Sequence, residues 1–69
     1  MIIFNRLWKY LNTHELSVYE LRKRTGLDNK TITRLTLNEN TETRTLNRIC
    51  AGLQCKLEDI AEYVEDPIE

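Results

Sequence analysis

The sequence predicts an all-α fold made of five short helices. Apolar residues recur at three- and four-residue spacing in separate segments, which is the periodicity of one helical face. Capping residues and a glycine lie at the segment boundaries, where helices begin and end. A chain of 69 residues supports one modest core, since chains this short bury only about 60% of their extended surface. We therefore expect residues 1–69 to form a single domain.

The first two helices follow from an apolar face and a capping pattern. The first is predicted over residues 5–12 from four apolar residues on one face: Phe4, Leu7, Trp8 and Leu11. Ser17 and Glu20 have the spacing of a capping box, in which each side chain bonds the other residue's backbone amide. The second helix should therefore begin there, run to about Arg24 and stop at Gly26, which tolerates the left-handed conformation.

A tight turn should connect the second helix to the third. Only Thr25-Gly26-Leu27 separates the end of the second helix from Asp28, which is a good N-cap. The third helix should bury Ile32 and Leu35. Residues 36–42 have no sustained period and contain Asn38 and Asn40, so they should form a loop.

Two further helices are predicted towards the end of the chain. Thr43 is the expected cap of the fourth, whose apolar face comprises Leu46, Ile49, Cys50 and Leu53. Gly52 should weaken that helix by up to about 1 kcal/mol. The fifth should begin near Lys56, with an apolar face formed by Leu57, Ile60, Ala61 and Val64, and Pro67 should prevent any further helix. The sequence leaves open whether residues 2–4 also pair with residues 62–65 as two short antiparallel strands.

Composition excludes several classes of protein. Hydrophobic residues make up 41% of the chain and charged residues 30%, which is ordinary for a globular domain. No apolar run approaches the roughly 20 residues of a membrane span, and we expect a cytoplasmic protein with no membrane contact. Cys50 and Cys55 lack the partners of a zinc site, so free thiols are expected, with a disulfide as the remaining option.

The residues expected in an active site are also missing. His14 stands alone in a polar turn, without the serine and aspartate of a nucleophilic triad. No glycine-rich phosphate loop is present, and so small a domain has little room for a deep cleft. The sequence therefore predicts a protein that is not an enzyme, with no catalytic residues, no metal, no cofactor and no small-molecule substrate.

Charge is unevenly distributed along the chain. Residues 1–35 contain seven Lys and Arg against three Asp and Glu, whereas residues 36–69 contain three against eight. The net charge of -1 hides this separation. A basic first half can face phosphate while the acidic half stays in solvent, although a chance asymmetry is the alternative.

Residues 17–35, with the sequence SVYELRKRTGLDNKTITRL, resemble the helix-turn-helix of the phage-repressor and Cro family, also called the xenobiotic-response-element type. The later segment TLNRICAGLQCKLEDIAEYV resembles the end of short stand-alone members. The resemblance implies a five-helix lambda-repressor-like domain that regulates transcription. It also implies a homodimer bound to double-stranded DNA, with a recognition helix at about residues 28–36 in the major groove.

The polar residues of this segment are the candidate DNA contacts. The third helix should expose four side chains able to reach base edges or phosphates: Asn29, Lys30, Thr33 and Arg34. By resemblance, Asn29 matches a base-reading position, and the adjoining Asp28 and Thr31 belong to the same candidate site. Ser17 and Tyr19 match the start of the second helix, which family members set against phosphate. The alternative for each is an ordinary surface residue, and for Tyr19 a packing role.

Three departures from the family pattern favour DNA binding that is weaker, more salt-sensitive or more cofactor-dependent than average. Arg22 replaces a small residue, so its side chain must extend out between the helices or pair with an acid. Val18 replaces a phosphate-binding glutamine, and the loop contains Glu39 and Glu42. The missing glutamine, the two acids of the loop and the acidic second half of the chain motivate an alternative function, a protein-interaction module on the same scaffold.

Surplus apolar surface suggests how two copies could associate. Three residues near the end of the chain are candidates for a dimer interface: Leu57, Ile60 and Tyr63.

Overall fold

The computed structural model describes residues 1–66, so the predicted effect of Pro67 lies outside the described residues. Its elements are β1 (Ile2–Ile3), α1 (Asn5–Thr13), α2 (Val18–Thr25), α3 (Asn29–Thr36), α4 (Thr43–Leu53), a single 3-10 turn (Leu57–Asp59) and β2 (Glu62–Tyr63). The fold is thus mostly helical, with four α-helices and a small sheet in residues 1–66. None of these helices is long and apolar enough to cross a membrane.

The first three helices lie where the sequence predicts them. The hydroxyl oxygen of Ser17 accepts a hydrogen bond from the Glu20 amide at 3.1 Å. Gly26 ends α2 in the left-handed conformation with φ of 74°, and Asp28 then caps α3 by accepting from the Thr31 amide at 2.9 Å. Each boundary is therefore fixed by a local hydrogen bond or by the freedom of glycine.

Two details of the predicted caps are wrong. The Glu20 carboxylate lies 3.9 Å from the Arg24 Nε, one helical turn away. It does not bond the Ser17 amide, so the capping box is only half formed. The N-cap of α4 is Glu42, whose side chain makes no capping bond, and Thr43 is the first helical residue. The start of α4 is therefore set without a capping bond from the Glu42 side chain.

The predicted fifth helix is wrong. In place of that helix, residues 57–59 form a single 3-10 turn, before which the amide of Lys56 donates to Asp59 Oδ2 at 2.9 Å. It then extends into β2, because residues 62–63 pair with β1 in an antiparallel register that sets Ile2 opposite Tyr63. A turn followed by a strand also buries Ile60, so the apolar spacing is satisfied without a helix. The pairing of the two ends, left open by the sequence, is present.

One core holds all of these elements together. Its buried apolar residues come from every helix and from the 3-10 region: Phe4, Leu7, Leu11, Leu21, Leu27, Ile32, Leu35, Ile49, Leu53 and Ile60. Leu7, Leu21, Leu35, Ile49 and Ile60 are completely inaccessible to solvent. Since fully burying one such side chain stabilises a fold by about 1.5–3 kcal/mol, this cluster is the main source of stability.

A side-chain hydrogen bond fixes the loop after α3. Asn38 adopts the left-handed conformation with φ of 55°, which asparagine tolerates better than most residues. Its Oδ1 accepts from the backbone amide of Phe4 at 2.8 Å. This contact ties the loop that follows α3 to the start of α1.

Candidate nucleic-acid interface

The third helix presents an unobstructed polar face. Ile32 and Leu35 are buried in the core, with Leu35 completely inaccessible. The four predicted groove-facing residues are all exposed in the protomer: Asn29, Lys30, Thr33 and Arg34. Because a helix about 10–12 Å across fits a groove of about 12 Å, the major groove of B-DNA can accept this face.

The turn before α3 is held rigidly. The Thr25 hydroxyl is buried, donates to the Leu21 carbonyl at 2.7 Å and accepts from the Leu27 amide at 3.3 Å. The Gly26 amide donates to the Arg22 carbonyl at 2.8 Å. A buried hydroxyl with both roles satisfied fixes the chain direction on each side of Gly26, and hence the angle between α2 and α3.

The polar groups of α3 divide into structural and available ones. Thr31 donates to the Asp28 carboxylate from its side chain and its amide, and these bonds lower the pKa of Asp28 below its ordinary value. The Thr33 hydroxyl donates to the Asn29 carbonyl at 3.0 Å, which leaves it an acceptor. Within residues 1–66 no ion pair engages Lys30 or Arg34. Lys30 and Arg34 are therefore the groups most available to a ligand.

The start of α2 exposes the other two predicted residues. Ser17 caps the helix. The side chain of Tyr19 is 62% exposed, so it does not pack in the core. Arg22 points to solvent, as expected for a long side chain that cannot fit between the helices. Together with Lys23, Gly26 and Leu27, Tyr19 and Arg22 line an open groove beside the turn.

Two arginines of α4 were missed by the sequence reasoning. Arg44 and Arg48 are exposed and lie one helical turn apart, and they line a second groove with Asp28 and Thr31. Both belong to the half of the chain that is acidic by sequence. Their four-residue spacing was the available signal, because it places two cations on one face of a helix.

The three predicted dimer residues have different surroundings. Leu57 is 53% exposed and Tyr63 is 67% exposed, and both border an apolar depression with Ile2 and Leu46. Ile60 is completely buried in the protomer, so its side chain offers no surface to a second copy. Any association at this end of the molecule would use Leu57 and Tyr63.

The two cysteines are free thiols that pack against the core. The Cys55 amide donates to the Cys50 carbonyl at 3.1 Å across the end of α4, where Gln54 is left-handed. Burial, followed by the proximity of Cys50, raises the pKa of Cys55 to about 11. Residues 1–66 contain no group of three side chains suited to hold a metal ion. The thiols therefore act here as small apolar groups that cover the helix end.

These features define a protein of the helix-turn-helix class, with an exposed polar face on α3, a rigid glycine turn and a supporting α2. Residues 6–66 match the family model of the Cro/C1-type helix-turn-helix DNA-binding domain, and the chain belongs to this family. Its structure is similar to the crystal structure of the transcriptional regulator VanUg, with a TM-score of 0.87 and 34% sequence identity. That similarity covers 94% of this chain and 87% of VanUg. No curated protein sequence matches the chain.

Proposed function

We propose that this chain is a sequence-specific transcriptional regulator that binds double-stranded DNA as a homodimer, with α3 in the major groove. The observation that carries the proposal is the division of α3 into a buried apolar side and an exposed polar side, on which Lys30 and Arg34 form no ion pair with any residue from 1 to 66. Membership of the Cro/C1-type family and the similarity to a transcriptional regulator support it.

The exposed side chains of α3 suit base edges in the major groove. An amide such as that of Asn29 can pair with adenine N6 and N7, and a guanidinium such as that of Arg34 can pair with guanine O6 and N7. Lys30 can donate to guanine or to phosphate. Asp28 and Thr31 contribute by holding the first turn of α3, so we assign them a positioning role.

Two copies would place two α3 helices on one side of the duplex. We propose that the apolar depression bordered by Leu57 and Tyr63 forms the contact between the copies. The half-sites of a symmetric operator would then lie about 34–36 Å apart, which is one turn of DNA. Sedimentation of the wild type and of a Leu57→Glu variant tests this contact, because a charge in an apolar interface should favour the monomer. If Leu57→Glu assembles like the wild type, the contact between the copies does not lie at this depression.

The test of DNA recognition is binding to duplexes selected from a randomised library. Lys30→Ala and Arg34→Ala should each weaken binding to the selected duplex by about 1–3 kcal/mol, which is roughly 5- to 150-fold. Lys9→Ala, on exposed α1 surface beside Glu58 and Asp59, is the matched control and should bind like the wild type. Failure to enrich any duplex at about 50 mM salt would overturn the proposal, since phosphate attraction is strong there.

A further inference from the structure

Two grooves meet over the turn between α2 and α3. The first contains Arg22 and Lys23 of α2, and the second contains Arg44 and Arg48 of α4. Both grooves are lined by Gly26 and Leu27, so the surface is continuous across the turn. We call these four cations the turn-side strip: Arg22, Lys23, Arg44 and Arg48.

No cation of the turn-side strip forms an ion pair within the described part of the chain. The three ion pairs of residues 1–66 join the Met1 ammonium to Asp66, Arg6 to Glu62, and Arg24 to Glu20. All four members of the strip are exposed. Four exposed cations around one turn produce a local positive potential that the net charge of -1 does not reveal.

Two acids lie in the second groove. The Asp28 carboxylate accepts a hydrogen bond from the Thr31 amide at the start of α3 and keeps its negative charge, so the four cations of the strip face two acids and remain in excess. The side chain of Glu42 has no capping bond, although Glu42 is the N-cap of α4. A third groove, lined by Arg34, Thr31 and Glu42, leads from this region to the exposed side of α3. The strip is therefore continuous with the face that carries Lys30 and Arg34.

We propose that the turn-side strip binds backbone phosphates of the duplex beside the groove that α3 enters. This inference rests on the proposed function and deepens it. Duplex DNA carries one negative charge per about 1.7 Å of its length, so a line of cations next to a base-reading helix meets phosphates on either side. Long arginine and lysine side chains have the reach to contact them from a turn.

Phosphate contacts do not depend on base sequence, so loss of the strip should affect DNA binding differently from loss of a base contact. Loss of the strip should weaken binding to a selected operator and to a scrambled duplex by the same factor. It should also reduce the slope of log affinity against log salt concentration by about 0.9 for each lost phosphate contact. Loss of Lys30 or Arg34 should instead change the ratio between the two affinities.

The experiment measures anisotropy of labelled duplexes at several salt concentrations for Arg22→Ala/Lys23→Ala and Arg44→Ala/Arg48→Ala. Each double variant should lower the magnitude of the salt slope by about 2. Lys9→Ala/Lys56→Ala removes two exposed cations outside both grooves and should leave the slope unchanged. Arg44→Lys/Arg48→Lys should keep the wild-type slope, which separates lost charge from lost folding.

Unchanged salt slopes in both alanine variants, with binding still weakened in Lys30→Ala, would overturn the phosphate contacts of the strip while leaving the proposed function intact. Absence of DNA binding by the wild type would instead overturn the proposed function. A third outcome would also overturn the inference. If the alanine double variants bind a poly-glutamate peptide less tightly than the wild type does but keep its salt slope on DNA, the strip binds an acidic protein and not phosphate.

Discussion

Gly52 of α4 lies against the backbone of Arg24 in α2, at a distance that only glycine permits. A Cβ atom at position 52 would be 2.7 Å from the Arg24 carbonyl oxygen and 2.9 Å from the Thr25 Cγ2. The absence of a side chain therefore allows α4 to approach the end of α2. Because the turn and α3 follow directly, this approach positions the candidate recognition helix.

Gly52→Ala should destabilise the protein despite the better helix propensity of alanine. The propensity gain is at most about 1 kcal/mol, whereas overpacking against backbone costs about 1–3 kcal/mol. We expect a net loss that lowers the melting temperature by several degrees, since about 1 kcal/mol corresponds to roughly 4–8 °C in a domain this small. Calorimetry checks it, with exposed Ala51→Ser as the control. A variant as stable as the wild type would show that α2 and α4 separate without cost.

Asn38→Ala should remove two stabilising features at once. It deletes the acceptor of the Phe4 amide and places an alanine in the left-handed conformation, which together cost about 2 kcal/mol. Asn38→Asp keeps an acceptor at the same position and tolerates the same backbone, so it should remain close to the wild type. Urea unfolding of both variants measures the difference. Equal stabilities for the two variants would contradict the role of the side-chain bond.

The parts of the fold that the sequence predicts are those determined within a few residues. Ser17 and Asp28 cap helices through bonds to residues three positions away, and Gly26 needs only its own backbone freedom. The missed features depend on distant partners. From sequence, Gly52 predicts only a weaker α4, because its contact with α2 is not visible there. Residues 62–63 have the spacing of a helix, and only their pairing with β1 makes them a strand.

Asp28→Asn should change how stability depends on pH. The bonds from Thr31 hold the pKa of Asp28 below its ordinary value, so the ionised carboxylate stabilises the folded state. This contribution is complete above the ordinary pKa of a free carboxyl and is lost as the pH falls through the lower, folded-state pKa. We therefore expect wild type to exceed Asp28→Asn in stability at pH 6, with the difference shrinking towards pH 2. Chemical unfolding across this range measures it, and a difference independent of pH would refute the linkage.

Cys55 should react slowly with alkylating reagents in the folded protein. Burial and the proximity of Cys50 raise its pKa to about 11, so at pH 8 the thiolate fraction is about 100-fold below that of an ordinary cysteine. Tandem mass spectrometry of the iodoacetamide-labelled wild type assigns the label to Cys50 or Cys55 and leaves the surroundings of Cys55 unchanged. Labelling in urea serves as the reference and should be fast. Equally fast labelling without urea would mean that the end of α4 opens readily.

The candidate site is predictable from sequence only along one helix. The exposed side of α3 follows from its own periodicity, because Ile32 and Leu35 define the buried side. Arg44 and Arg48 join the site through the fold, which brings the first turns of α4 beside Asp28. Both arginines belong to the acidic half of the sequence, and the net charge of that half gives no sign that they lie next to α3.

Glu42→Gln should strengthen DNA binding if the turn-side strip contacts phosphate. The Glu42 side chain has no capping bond and lines both grooves beside α3, among Arg34, Arg44 and Arg48. A negative charge about 4 Å from a phosphate in water costs about 1 kcal/mol, so its removal should raise affinity about fivefold at low salt. Glu65→Gln makes the same charge change outside these grooves and should have a much smaller effect. Anisotropy titrations of both variants decide the matter, because equal gains would reflect net charge alone and leave Glu42 with no local role.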